Sequence, residues 1–157
     1  MEIPDAKLIA ELLDYAGGVR RALHARPELS GQEYGTSEFI RRELEGMGYT
    51  VGGIRTGLVT EARGREGGTI ALRADTDALP VTEKTGLPFA ATCGRMHACG
   101  HDGHTAMLLA AAKLFTLRTP KRNVRLIFQY GEEGEGGAEK MIAGGCLDGV
   151  SEIYAFH

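Results

Sequence analysis

The sequence predicts an α/β fold, on three observations: apolar residues at helical spacing over the first quarter, short β-rich runs closed by glycines in the middle, and a strand-helix-strand order in the last third. From Pro4 to Leu23, the positions Leu8, Ile9, Leu12, Leu13, Ala16 and Val19 recur on one helical face behind Asp5, a capping residue type, with Gly17 and Gly18 as a weak point. Thr36 or Ser37 is expected to cap a second helix that carries Phe39, Ile40, Leu44 and Met47 and stops at Gly48. "YTVGGI", "GLVTEA" and "TIALRAD" read as a strand pair leading into a buried strand. A helix over about 103–117, the turn "RTPKR", the strand "NVRLIFQY", a helix over about 136–146 and the strand "EIYAF" complete the chain. Strand, helix, strand in that order implies a right-handed crossover and parallel pairing.

At 157 residues the chain is the size of one ordinary domain, and 43% hydrophobic with 25% charged residues is the balance of a soluble globular protein. A net charge of −3 argues against nucleic-acid binding, and the basic segments "VRRALHAR" and "TPKRNVR" read as solvated surface. No apolar run reaches the length of a membrane span, and "MEIPDAKLIAELL" lacks the basic start and cleavage site of a signal peptide, so the cytoplasm is the expected compartment. Cys93, Cys99 and Cys146 form neither an even disulfide framework nor a pair of CxxC arms; they read as thiols or a metal ligand, with Cys146 a core thiol.

"MHACGHDGHTAML" packs His97, Cys99, His101, Asp102 and His104 into eight positions of a chain with five histidines. Three further polar groups directly follow expected strands: Asp75 and Asp77, the pair Glu132 and Glu133, and His157. Ligands of open α/β sheets sit at the carboxyl ends of strands, so the four clusters are expected to converge there. So many acids in one place would repel one another without a cation, which points to a metal site. In an extended segment Cys99 and His101 face the same way; Asp102 is expected to cap the following helix, and His97 and His104 to support the site without ligating. Adjacent glutamates point in different directions, so one can ligate while the other moves protons, with Gly131 and Gly134 allowing the tight turn.

The segments "LHARPELSGQEYGTSEFI", "ALRADTDALPVTEKTGLPFA", "MHACGHDGHTAMLLAAAKLF", "VRLIFQYGEEGEGGAEKMI" and "IYAFH" resemble, in order, the amidohydrolase branch of the zinc aminopeptidase/aminoacylase clan, which includes hippurate hydrolases, indole-acetyl amino acid hydrolases and N-acetyl-diaminopimelate deacetylases. The resemblance implies a mixed, largely parallel sheet flanked by helices, as in zinc-peptidase catalytic domains. It implies Cys99, His101, Glu133 and His157 as metal ligands, Glu132 as general base, and a catalytic or supporting role for Asp75. The implied reaction is hydrolysis of the amide of an N-acyl amino acid by a metal-activated water, with two divalent ions per complete site, zinc or manganese, or else cobalt or nickel. Neither nucleic acid nor membrane is an expected partner.

Tyr130 and Gly131 stand where relatives of this branch commonly carry Pro-Ala. Those relatives are also more than twice as long and often dimerise through an inserted lid domain. Residues 1–157 are therefore expected to be the N-terminal portion of a catalytic domain, without the lid and the C-terminal part. A metal-binding remnant without catalysis is the alternative. A structural-zinc module built on Cys93, His97, Cys99 and His101 lacks a second arm, and a Cys99 nucleophile lies too close in sequence to His101 for the usual base geometry.

Overall fold

The computed structural model describes residues 5–157, and Pro4, where the first helix is expected to begin, lies outside them. Helix α1 runs from Ala6 to His24, with the Asp5 carboxylate accepting from Leu8 N at 2.8 Å. It passes through Gly17 and Gly18 unbroken, because Tyr15, Ala16, Val19 and Leu23 anchor it in the core on either side. Helix α2 spans Tyr34–Gly46. Neither Thr36 nor Ser37 caps it: Thr36 lies inside the helix, and the free amides of Gly35 and Thr36 are taken by the Glu28 carboxylate at 3.0 and 2.7 Å. A side chain six residues upstream thus does the work expected of a local one.

The strands are β1 (Gly52–Ile54), β2 (Gly57–Ala62), β3 (Thr69–Asp75), β4 (Asn123–Gln129) and β5 (Val150–Ala155), with α3 (His101–Leu117) between β3 and β4 and α4 (Gly137–Ala143) between β4 and β5. They form one mixed sheet in the order β1-β2-β4-β3-β5. β1, β2 and β4 pair antiparallel, and β3 runs parallel to β4 on one side and β5 on the other. The crossover through α3 moves from β3 to its neighbour β4, and the crossover through α4 goes back past β3 to β5.

Right-handed connections that reverse direction put their helices on opposite faces. The two cores agree: α1, α2 and α3 bury Val19, Leu23, Ile40, Leu44, Leu108, Leu109 and Ala112 against Leu58, Leu126 and Phe128, while Met141 of α4 and Cys146 pack with Ala71, Ile127 and Tyr130. Leu126 and Phe128 face one core and Ile127 the other, the alternation of a strand covered on both sides. Each such Leu or Phe contributes roughly 1.5–3 kcal/mol by leaving water. The reversal between β3 and β4 opens a crevice at their carboxyl ends, the place where a sheet of this kind binds ligands.

Candidate metal centre

Asp75 is the last residue of β3 and lies beside Gln129 of β4. It is fully buried, accepting from His104 Nδ1 at 2.7 Å and from the Arg73 guanidinium at 2.8 Å. Asp77, two residues on and also buried, accepts through one oxygen from Glu133 N at 2.9 Å and from the Ser30 hydroxyl. The Asp77 backbone carbonyl and its other carboxylate oxygen receive the His101 Nδ1–H at 2.8 and 3.2 Å. Burial alone would raise the Asp77 carboxyl, but the hydrogen bonds from His101, Ser30 and the Glu133 amide outweigh it and hold the group well below the usual carboxylate range.

His101 is the pivot. A carbonyl can only accept, so Nδ1 carries the proton and, in the neutral ring, Nε2 presents a lone pair. That Nε2 is buried and has no hydrogen-bond partner among the described residues. It stands 3.7 Å from Glu133 Oε1 and 3.6 Å from Asp75 Oδ2. Cys99 Sγ lies 3.5 Å from His157 Nε2, and His157 Nδ1 lies 3.7 Å from Glu132 Oε1 and 3.9 Å from Asp75 Oδ2. Three overlapping donor sets result, each within 4.8 Å and each containing His101: Cys99 with His157, Asp75 with His104, and Glu132 with Glu133.

Two donors on one tetrahedral zinc stand roughly 3.3–3.8 Å apart, given bonds of about 2.0–2.3 Å. The observed separations are of that size, and a buried nitrogen lone pair turned towards a thiol and carboxylates suits a borderline cation. The electrostatics agree. Burial lowers the His101 pKa, but the hydrogen bond to Asp77 and the charges of Asp75 and Asp77 raise it further, so the net shift is upward. Burial, then Glu133, Asp75 and Glu132, push the Cys99 thiol up. The field of the site favours a cation and resists a bare anion. The residues present fit a divalent metal.

Several local expectations are corrected. Cys99 and His101 do not share a face of an extended segment: Gly100 between them takes the left-handed conformation (φ 95°), and His101 is already the first residue of α3, two residues earlier than expected. Asp102 caps nothing; it is buried in the first turn, where its Oδ2 holds His24 Nδ1 at 2.7 Å and Arg20 Nε at 3.3 Å. His104 bonds Asp75 through Nδ1 at 2.7 Å and is itself a member of one donor set. His97 belongs elsewhere: it is buried beside His24, ring centroids 6.4 Å apart, with neither nitrogen hydrogen-bonded. Burial lowers it to about pKa 4, with nearby charges as lesser influences. Cys93 is exposed and joins no donor set among the described residues, which removes the structural-zinc module.

The turn carrying the two glutamates closes on itself. Gly131 takes φ 60°, its carbonyl accepts from Glu135 N and Gly137 N at 3.2 and 3.1 Å, and a Cβ on Gly137 would fall 1.6 Å from the Tyr130 carbonyl oxygen. A Cβ on Gly131 would lie 2.6 Å from that of Glu135, so a Pro-Ala pair here would require the turn to shift. Sequence reading missed Ser30 and Glu33, whose carboxylate reaches this turn. Isolated polar residues in a loop give no sign of such distant partners.

Comparison with known proteins follows the same lines. Over 98% of its length the chain superposes, with a TM-score of 0.87 and 45% identity, on 44% of a Bacillus subtilis protein described as a dinuclear metal-binding peptidase from the M20 family. It is 49% identical over 146 residues to an N-acetylcysteine deacetylase of the same species, covering 88% of this chain and 38% of that one. It is 42% identical over 157 residues to an IAA-amino acid hydrolase of Arabidopsis thaliana, covering 94% and 34%. The chain thus spans less than half the length of these relatives. Among the described residues no helix is long and apolar enough to cross a membrane. Residues 71–157, more than half of the chain, match the peptidase family M20/M25/M40, and the chain belongs to that family.

Proposed function

We propose that the chain carries the metal-binding part of an amidohydrolase that splits N-acyl amino acids into a carboxylic acid and an amino acid. Cys99, His101, Glu133 and His157 hold the metal, and Glu132 is the general base. One observation carries this reading: the buried, partnerless His101 Nε2, oriented by Asp77 towards Glu133 and within reach of Cys99 and His157. Relatives named for N-acetylcysteine, IAA-amino acids and N-acyl-L-amino acids share one reacting group, an amide on an amino acid nitrogen, and support the substrate class.

Divalent ions would supply Lewis acidity, lowering the pKa of a water and polarising the amide carbonyl. Glu132, partly open and 3.7 Å from His157, takes a proton from the attacking water and delivers it to the departing amine. Asp75, closed to solvent between Arg73 and His104, does not reach a substrate; it orients the His104 imidazole. Asp77 fixes the His101 tautomer. A second reading, metal binding without turnover, is favoured by the exposure of Cys99, Glu133 and His157, which leaves one side of the centre in water.

The test is release of amino acid from N-acetyl and N-benzoyl conjugates with added Zn²⁺ or Mn²⁺. Glu132→Gln is expected to lower turnover by about 10²–10⁴-fold, the usual worth of a general base, with metal binding kept. Unchanged turnover in that variant removes Glu132 from the mechanism, and binding without turnover in the parent chain supports the second reading.

A further inference from the structure

Glu33, just ahead of α2, is a buried carboxylate that the proposed reaction does not use. It is fully closed to solvent and pairs with no cation among the described residues. Its Oε1 accepts from Gly31 N at 3.0 Å and Gly131 N at 2.8 Å, and its Oε2 accepts from the Thr56 hydroxyl at 2.9 Å. The donors come from three segments far apart in sequence: its own loop, the turn between β1 and β2, and the turn after β4. A carboxylate survives burial only where such donors replace water.

Gly131 immediately precedes Glu132, and Glu133 follows it. The Gly131 amide is held by Glu33, and the Glu133 amide by Asp77 at 2.9 Å. The residues on both sides of Glu132 are therefore each held through their backbone N–H by a buried carboxylate. Ser30, three residues before Glu33, ties the two anchors together through its hydroxyl on Asp77. We propose that Glu33 is a positioning residue: by holding the Gly131 amide it fixes the backbone that aims Glu132 and Glu133. Their roles as base and ligand rest on the function proposed above; the clamp on the turn does not.

The substitutions separate the clamp from simple loss of charge. In Glu33→Gln the remaining oxygen keeps both amide bonds, and the new NH₂ faces a Thr56 hydroxyl that can rotate to accept. In Glu33→Ala the Gly131 N–H is left buried without an acceptor.

The first measurement is hydrogen exchange of the metal-free full chain, read in peptides spanning 128–136 against the central strand 69–75. Glu33→Ala is expected to speed exchange at 128–136 by about 10-fold or more, the worth of one hydrogen bond to a charged group, with 69–75 unchanged. Glu33→Gln is expected to restore parental exchange. The second is a Co²⁺ titration followed by the thiolate and d–d bands. Glu33→Ala is expected to bind about 10–100-fold more weakly, the effect of losing a ligand's support, and Glu33→Gln like the parent.

Unchanged exchange at 128–136 in Glu33→Ala, or failure of Glu33→Gln to restore it, overturns the proposal. A parent chain that binds no Co²⁺ sinks the proposed function, while the exchange result still decides the clamp. If Glu33→Ala does not fold, Glu33→Asp, one methylene too short to reach Gly131 and Thr56 together, replaces it with the same expected rise, and parental exchange in that variant is equally fatal.

Discussion

Asp75, Asp77 and His101 are closed to solvent and held by hydrogen bonds from strand, helix and loop, whereas Cys99 and His157 stand exposed on a loop and beyond the last strand. The closed half is built by the fold: β3 places Asp75 and leads into Asp77, and the first turn of α3 brings His101 onto the Asp77 carbonyl. The open half depends on turns and on the end of β5, with little packed above it. The difference teaches that the fold itself organises one half of the cluster, while the other half rests on a loop and a strand end.

The largest expected effect lies in the closed half. His101→Ala is expected to weaken Zn²⁺ binding by more than about 100-fold, beyond what losing a mere ligand support costs. Because the Asp77 carbonyl and one of its carboxylate oxygens lose their His101 donor, it should also destabilise the metal-free chain by about 1–3 kcal/mol. His157→Ala, in the open half, should weaken Zn²⁺ binding yet leave the metal-free melting temperature within error. Calorimetric titration and thermal melts of the two variants test the comparison; equal destabilisation by both would dissolve it.

A smaller effect is expected from Asp77→Asn, which keeps the backbone carbonyl on His101 but weakens the carboxylate contact. About 10-fold weaker Zn²⁺ binding is expected, at the low end of the range for such partners, because the shorter of the two hydrogen bonds survives.

The smallest is a pH effect under the closed half. Burial by itself lowers the pKa of His24, but hydrogen bonds to Glu83 and Asp102 raise it further, so the net shift is upward. A raised folded value means stability that is fully present below the unfolded pKa, near 6.5, and lost as pH rises through the folded value. Melting temperature should therefore fall more between pH 6.5 and 9 in the parent than in His24→Gln. Parallel curves would show that the imidazole carries no charge in the fold.

Much of this was legible in the sequence because it is periodic or local. The apolar spacing of α1, the Asp5 cap, and the runs that become β2 to β5 need only neighbours to be recognised. The meeting of Asp75, Glu132, Glu133 and His157 followed from their places at or just beyond the carboxyl ends of parallel strands. What stayed hidden depends on partners distant along the chain: Glu28 capping α2, Glu33 reaching Gly131, and His24 with Arg20 burying Asp102. Asp102 shows the limit most clearly. Its position before a helical stretch is that of a cap, and only the left-handed Gly100, which starts the helix earlier, turns it into the link between α1 and α3.

Gly137 carries a consequence for inheritance. The carbonyl of Tyr130 occupies the space where any other residue would place its first carbon, so even alanine, the mildest replacement, would prise the turn apart. Loss of the centre thus needs no change to any residue that touches an ion, and a lineage could forfeit it through one methyl group four positions downstream of Glu133.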